Sequence, residues 1–167
     1  MRIRRDKRGF TLIELLIVVA IIGIIVAIAI PNLLNAVQRA KQKRTMADMR
    51  SIGTALEAYA VDYNKYPAAA GAYSMPSGIT GISLTNTIGS AVGALSPTYI
   101  RTMPLKDGWN SYFHYTVSGT GLDYILGSTG KDGAIEGAPV LGPTTNFNND
   151  ILFADGQFIQ WPEGTQQ

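Results

Sequence analysis

The chain has 167 residues, a formal net charge of +2, no cysteine and one histidine. The missing cysteines exclude disulfides and thiol catalysis, and so small a net charge offers no basic body for nucleic acid. Beyond a long apolar N-terminal stretch about 100 residues remain, enough for one small domain held by packing, by a metal or by neighbouring subunits.

The first nine residues form a basic leader with Arg2, Arg4, Arg5, Lys7 and Arg8. With Asp6 they carry +4, so the remainder from Phe10 onward is near −2, and the pI of 8.9 mostly describes the leader. From Phe10 to Ile30 the only polar side chains are Thr11 and Glu14. As a helix this stretch is about 32 Å long, which matches a bilayer core of roughly 30 Å. The leader's cations predict a single-pass span with its N-terminus in the cytoplasm. Glu14 is out of place there, because a carboxylate in hydrocarbon costs about 3 kcal/mol even on lenient scales. Cleavage after Gly9 would supply its partner: the new amine of Phe10, with a reference pKa of about 8, lies one turn earlier on the same face. Two other readings stand beside this one. Ala27-Ile28-Ala29 has the small-x-small form of a secretory cleavage site, and the apolar run could be a plain anchor. The first suits a shorter run without an acid, and the second leaves Glu14 unexplained.

Gly9-Phe10-Thr11-Leu12-Ile13-Glu14, behind a basic leader and ahead of an apolar helix, resembles the class III signal of type IV pilins and pseudopilins. The resemblance implies an α+β fold, a long N-terminal helix packed on a small C-terminal antiparallel sheet. It also implies that a prepilin peptidase cuts between Gly9 and Phe10 and N-methylates Phe10. Glu14 and Phe10 would then join subunits in a helical homopolymer, and Pro31 stands where the family kinks its helix. On that reading residues 1–9 are the leader, 10–31 the membrane and filament-core helix, 32–66 its amphipathic continuation and 67–167 the globular domain.

Pro31 removes one helical hydrogen bond and should bend the helix without ending it. Asn32, Asn35, Gln38, Arg39, Lys41, Gln42, Lys43 and Arg44 follow, as a solvated face or as partners for acids on adjacent subunits. Met49, Ile52, Leu56, Tyr59 and Tyr63 recur at steps of three and four, one stripe for a sheet to cover, leaving residues 10–48 for membrane and filament contacts. Tyr66-Pro67 is the expected end. Residues 67–103, rich in Gly, Ala, Ser and Thr, read as a long surface connection with a short helix near Ala91 to Leu95, and the resemblance implies that this connection is variable. The sheet is expected over 111–161. Tyr112 to Val117 alternates, with Phe113, Tyr115 and Val117 on one face, and Leu122 to Leu126 returns beside it. Asp155-Gly156, between Ile151–Ala154 and Gln157–Trp161, reads as a hairpin turn.

Asp107-Gly108-Trp109-Asn110-Ser111-Tyr112, Leu122-Asp123-Tyr124 and Ser128-Thr129-Gly130-Lys131-Asp132-Gly133 are similar to segments of the major pseudopilins of type II secretion systems. Gly108 and Ser111 replace prolines of that pattern. The resemblance implies a calcium ion in the loop from 127 to 150, with Asp132 and Asp150 as side-chain ligands and Glu136, Asn146, Asn148 and Asn149 nearby. Without an ion, Asp132-Gly133 is a turn and Asp150 precedes a strand. No Walker loop, CxxC pair or HExxH motif occurs, and His114 lies among strand aromatics, so no enzyme is expected. The expected partners are further copies of the chain, prepilin peptidase, an inner-membrane assembly platform, minor pilins or pseudopilins, and the membrane. A filament in the periplasm that drives protein secretion and a pilus on the cell surface both fit.

Overall fold

The computed structural model describes residues 9–68, 87–135 and 141–163. Most of the leader (1–8), residues 69–86 of the variable connection, and Glu136 lie outside the described residues. The described elements are α1 (Leu12–Tyr63), a 3-10 turn (Ile88–Ala91), α2 (Val92–Leu95) and five strands. These are β1 (His114–Val117), β2 (Tyr124–Ser128), β3 (Gly142–Thr144), β4 (Ile151–Ala154) and β5 (Gln157–Pro162). The chain divides after Val37 into two units, and α1 contributes to both.

In the first unit α1 leaves its apolar side chains exposed, from Leu12 through Leu33, Leu34 and Val37. The helix is long and apolar enough to cross a membrane. It continues through Pro31, as expected from a residue that deletes one donor. The side chain of Asn32 donates to the Ile28 carbonyl one turn back (3.2 Å).

In the second unit α1 lies on a sheet ordered β1-β2-β4-β5-β3. Met46, Met49, Ile52, Ala55 and Leu56 meet Tyr115, Tyr124, Leu126, Ile151 and Phe153 in the main core, which Ile88, Leu95 and Phe113 close. Full burial of such side chains stabilises by roughly 1.5–3 kcal/mol each, which is how a cysteine-free domain holds together. Tyr115 and Tyr124 are buried with their hydroxyls engaged. The Tyr115 hydroxyl donates to the Pro67 carbonyl (2.8 Å), and that of Tyr124 accepts from Gly156 N–H (3.3 Å). Strand alternation sends Ile125, Leu152 and Ala154 to a second, smaller cluster.

Four expectations need correction. The helix ends at Tyr63, not Tyr66, because Asn64 takes a left-handed conformation (φ 52°) that terminates it before Pro67 is reached. Tyr63 is not core: it is 56 % exposed and stacks on Tyr59 (4.4 Å). The globular packing also starts earlier than Met49, since Gln42, Thr45 and Met46 are already buried. Finally, the sheet is not wholly antiparallel. Gly142, Pro143 and Thr144 pair in parallel with Gln160, Trp161 and Pro162, an edge where proline's missing donor is tolerated. The hairpin stands where expected, with positive φ at both Asp155 (44°) and Gly156 (84°), as a type I′ turn requires.

Gly108 brings its loop against the backbone of α1. A Cβ there would stand 2.5 Å from the Lys41 carbonyl oxygen, a backbone atom that cannot swing aside. Gly108→Ala should therefore destabilise by about 2–3 kcal/mol, whereas Gly93→Ala, with nothing near its Cβ, should stay within about 0.5 kcal/mol of the parent. Thermal denaturation of both variants in detergent checks the pair; equal melting temperatures would refute the clash.

Candidate functional site

Gly9 and Phe10 precede the first helical residue, and Phe10 is 80 % exposed. Thr11 and Glu14 decide where the helix begins. Glu14 Oε2 accepts from both the Thr11 N–H and the Thr11 hydroxyl (2.8 Å each), and Thr11 Oγ1 accepts from Glu14 N–H (3.3 Å). This is a capping box, which satisfies orphan donors at a helix start. It leaves the Gly9–Phe10 peptide bond outside the helix, which begins at Leu12. The sequence reading paired Glu14 with the Phe10 amine and missed this cap, for which Thr-x-x-Glu was the available signal. Glu14 accordingly has a role within its own subunit, on Thr11, besides any role between subunits.

A second constellation surrounds Asp107, buried with 3 % exposure. Its Oδ1 accepts from Trp109 N–H and Ser111 N–H (2.9 Å each), and its Oδ2 accepts from the Ser128 hydroxyl (2.6 Å). The loop so shaped grips α1 twice: Gly108 N–H donates to Thr45 Oγ1 (2.9 Å), and Trp109 Nε1 donates to Gln38 Oε1 (2.7 Å). The role of Asp107 and its partners Gln38, Thr45 and Ser128 was not legible, because they are scattered along the chain.

Asp132 and Asp150 differ in setting. Asp132 is exposed, and its Oδ1 accepts from Ala134 N–H (3.0 Å), closing a local turn. Asp150 is 2 % exposed. Their segments meet: Lys131 N–H donates to the Phe147 carbonyl (3.0 Å), and a Cβ on Gly130 would stand 2.6 and 2.7 Å from the carbonyl oxygens of Asn148 and Asn149. Only a residue without a side chain fits there. Among the described residues no group of three or more His, Asp or Glu side chains converges.

Charge is uneven over this unit. Burial pushes the Asp155 carboxyl above its usual range; the hydrogen bond from Tyr124 N–H counteracts this, and the nearby Asp123 and Glu57 add to it. Burial likewise raises Asp48, against the pull of Arg44 (3.6 Å). Tyr99 is pushed up to about 12 by its hydrogen bond to Asp62. Because the folded pKa of Asp155 is raised, its contribution to stability is present in acid and lost as pH climbs through that raised value.

A family model described as "Type II secretion system (T2SS), protein G" matches residues 32–141, and one described as "Prokaryotic N-terminal methylation motif" matches residues 4–30. The chain belongs to the type II secretion protein G family. Curated relatives named "Type II secretion system core protein G" include one from Pseudomonas aeruginosa, 29 % identical over 87 % of this chain and 99 % of the relative. Another, from Vibrio cholerae, is 29 % identical over 80 % of this chain and 88 % of its own length. One from Escherichia coli K12 is 29 % identical over 81 % and 82 %. For this protein G family chain, the methylation-motif match runs from Arg4 to Ile30 through Gly9, Phe10 and Glu14, and the protein G match covers the Asp107 loop and β2.

If Asp107 organises the loop, Asp107→Ala leaves one buried and two part-buried donors without their acceptor and should cost about 3 kcal/mol. The check is tryptophan emission with thermal melting: Trp109 should shift to the red and the melting temperature should fall. Unchanged emission and melting would show that the loop holds itself.

Proposed function

We propose that this protein G family chain is the main structural subunit of a helical filament in a type II secretion system. On this reading the leader holds the N-terminus in the cytoplasm while the apolar half of α1 spans the inner membrane. A prepilin peptidase then cuts after Gly9 and methylates the Phe10 amine. The assembly platform lifts the processed subunit out of the bilayer, and the filament grows in the periplasm with minor pseudopilins among its partners. The role is structural, with no catalytic step. The observation that carries the proposal is the exposed apolar surface from Leu12 to Val37 on a helix that bears the methylation motif. Such a surface needs a bilayer first and neighbouring helices afterwards.

Glu14 is assigned to assembly. In the single chain it caps α1 through Thr11; in the polymer it meets the Phe10 amine of its own subunit or a neighbour. Pro31 is assigned to bending α1 as subunits pack. Glu14→Ala should leave cleavage largely intact and impair assembly, whereas Gly9→Val should block cleavage itself. Immunoblots for processing, with mass spectrometry of the medium for secreted proteins, check the two variants. Normal filaments and secretion in Glu14→Ala would remove the assembly role. In a deletion strain, loss of surface pili with an intact secretome would replace the pseudopilus by a surface type IV pilus.

Calcium is proposed for the loop from 127 to 150, with Asp150 and Asp132 as side-chain ligands and carbonyls near Gly130 completing the oxygens. Support comes from the carbonyl-lined approach of residues 148–149 to Gly130 and from the burial of Asp150. A bound ion would cross-link two loop segments and so stand in for the missing disulfide. Chelation should lower the melting temperature of the purified protein, and added calcium should restore it; no response to either would remove the ion.

A further inference from the structure

Asp-Gly occurs three times in the chain, at 107–108, 132–133 and 155–156, and all three pairs lie among the described residues. The pair has a chemistry of its own. Glycine brings no side chain to hinder its nitrogen from reaching the aspartate carboxyl carbon, and the two can close a succinimide ring. Closure needs a glycine N–H free of other bonds, a carboxyl group folded back over the peptide, and water.

Two of the pairs fail these conditions. The Asp107 carboxyl does fold back, since its Oδ1 accepts from Trp109 N–H (2.9 Å). Gly108 N–H, however, is held by Thr45 Oγ1 (2.9 Å), and Asp107 is almost wholly shut off from solvent. At Asp155 the carboxyl turns away to Tyr124 N–H (2.9 Å), and Gly156 N–H is held by the Tyr124 hydroxyl (3.3 Å). Asp132 meets all three. Its Oδ1 accepts from Ala134 N–H (3.0 Å), which closes a ring of atoms containing both Asp132 Cγ and Gly133 N. Gly133 N–H makes no hydrogen bond among the described residues, and Asp132 and Gly133 are both exposed.

We propose that Asp132–Gly133 is a site of spontaneous covalent modification, where the backbone rearranges to isoaspartate. Gly133 N attacks Asp132 Cγ, and one carboxyl oxygen leaves as water, taking the amide proton and a proton from solvent. Water then opens the succinimide and returns both protons. Opening at the side-chain carbonyl restores aspartate. Opening at the backbone carbonyl leaves the chain running through Cβ and Cγ, with the former backbone carboxyl as the side group. One water is lost and one regained, so mass and net charge do not change. The turn gains a methylene in its backbone, and the hydrogen bond from Ala134 to the Asp132 side chain is lost with it. The step needs neither a filament nor a metal and stands apart from the function proposed above.

The test holds the full chain in detergent at neutral pH, in heavy-oxygen water, with a chelator so that no ion covers the turn. Each passage through the succinimide fixes a heavy oxygen in the residue. Electron-transfer fragmentation of the digested chain then separates isoaspartate from aspartate. A denatured sample gives the rate of each pair without structure, and circular dichroism checks that the other sample stays folded. In the folded chain Asp132 should label and isomerise close to its denatured rate. Asp107 and Asp155 should each run at least roughly tenfold below theirs, the equivalent of one hydrogen bond kept on the glycine nitrogen. An Asp132 slowed by folding as much as the other two overturns the proposal. Equal labelling of all three pairs in a chain that is still folded overturns it as well, because the fold would then select none of them.

Discussion

One helix has to satisfy two solvents. Over Leu12–Val37 the chain offers α1 no cover, and every large apolar side chain there is exposed. From Gln42 onward the same helix is partly sealed under a sheet, with Met49, Ile52 and Leu56 buried. Nothing in backbone hydrogen bonding separates these halves, because α1 is continuous through Pro31. What separates them is the apolar surface itself. In the first half it can be hidden only by lipid or by other helices, and so membrane residence and polymerisation become two solutions to one hydrophobic problem. Membership of the protein G family and the methylation motif agree with that physical demand.

The boundary between the halves is guarded by polar chemistry. The Asp107 loop reaches Thr45 through Gly108 and Gln38 through Trp109, so it takes hold of α1 within a few residues of Val37, where the continuous run of exposed apolar side chains ends. A carboxylate with three donors and almost no solvent is an effective latch, because breaking one bond exposes a buried charge to an unpaired setting. In a domain with no disulfide, this latch and the aromatic core of Phe113, Tyr115 and Tyr124 carry the rigidity that a filament subunit must transmit.

Glu14 illustrates how one side chain can serve two states. Bound to Thr11, it stabilises the first turn and begins the helix two residues beyond the Gly9–Phe10 bond. Its hydrogen bonds to Thr11 reduce the cost of carrying a charge at the start of a membrane helix without removing its capacity to attract an amine.

The sequence alone determined what depends on local pattern. The apolar span, the Gly9–Phe10 and Glu14 motif, the alternation of β1, the Asp155-Gly156 hairpin and the stripe through Leu56 are properties of neighbours in the chain, where periodicity and turn chemistry act directly. Even the Thr11–Glu14 cap was written there. Tertiary structure decided what depends on distant partners. Asn64 ended α1 before Pro67 could, Tyr63 stayed half in solvent and stacked on Tyr59, and β3 joined β5 in parallel at an edge. Asp107, whose spacing from Ser128, Thr45 and Gln38 follows no period, became the latch only when the loop folded onto the helix. Gln42 likewise read as one more polar residue of a basic segment until folding buried it. Burial is a property of the assembled surface, and no window of sequence contains it.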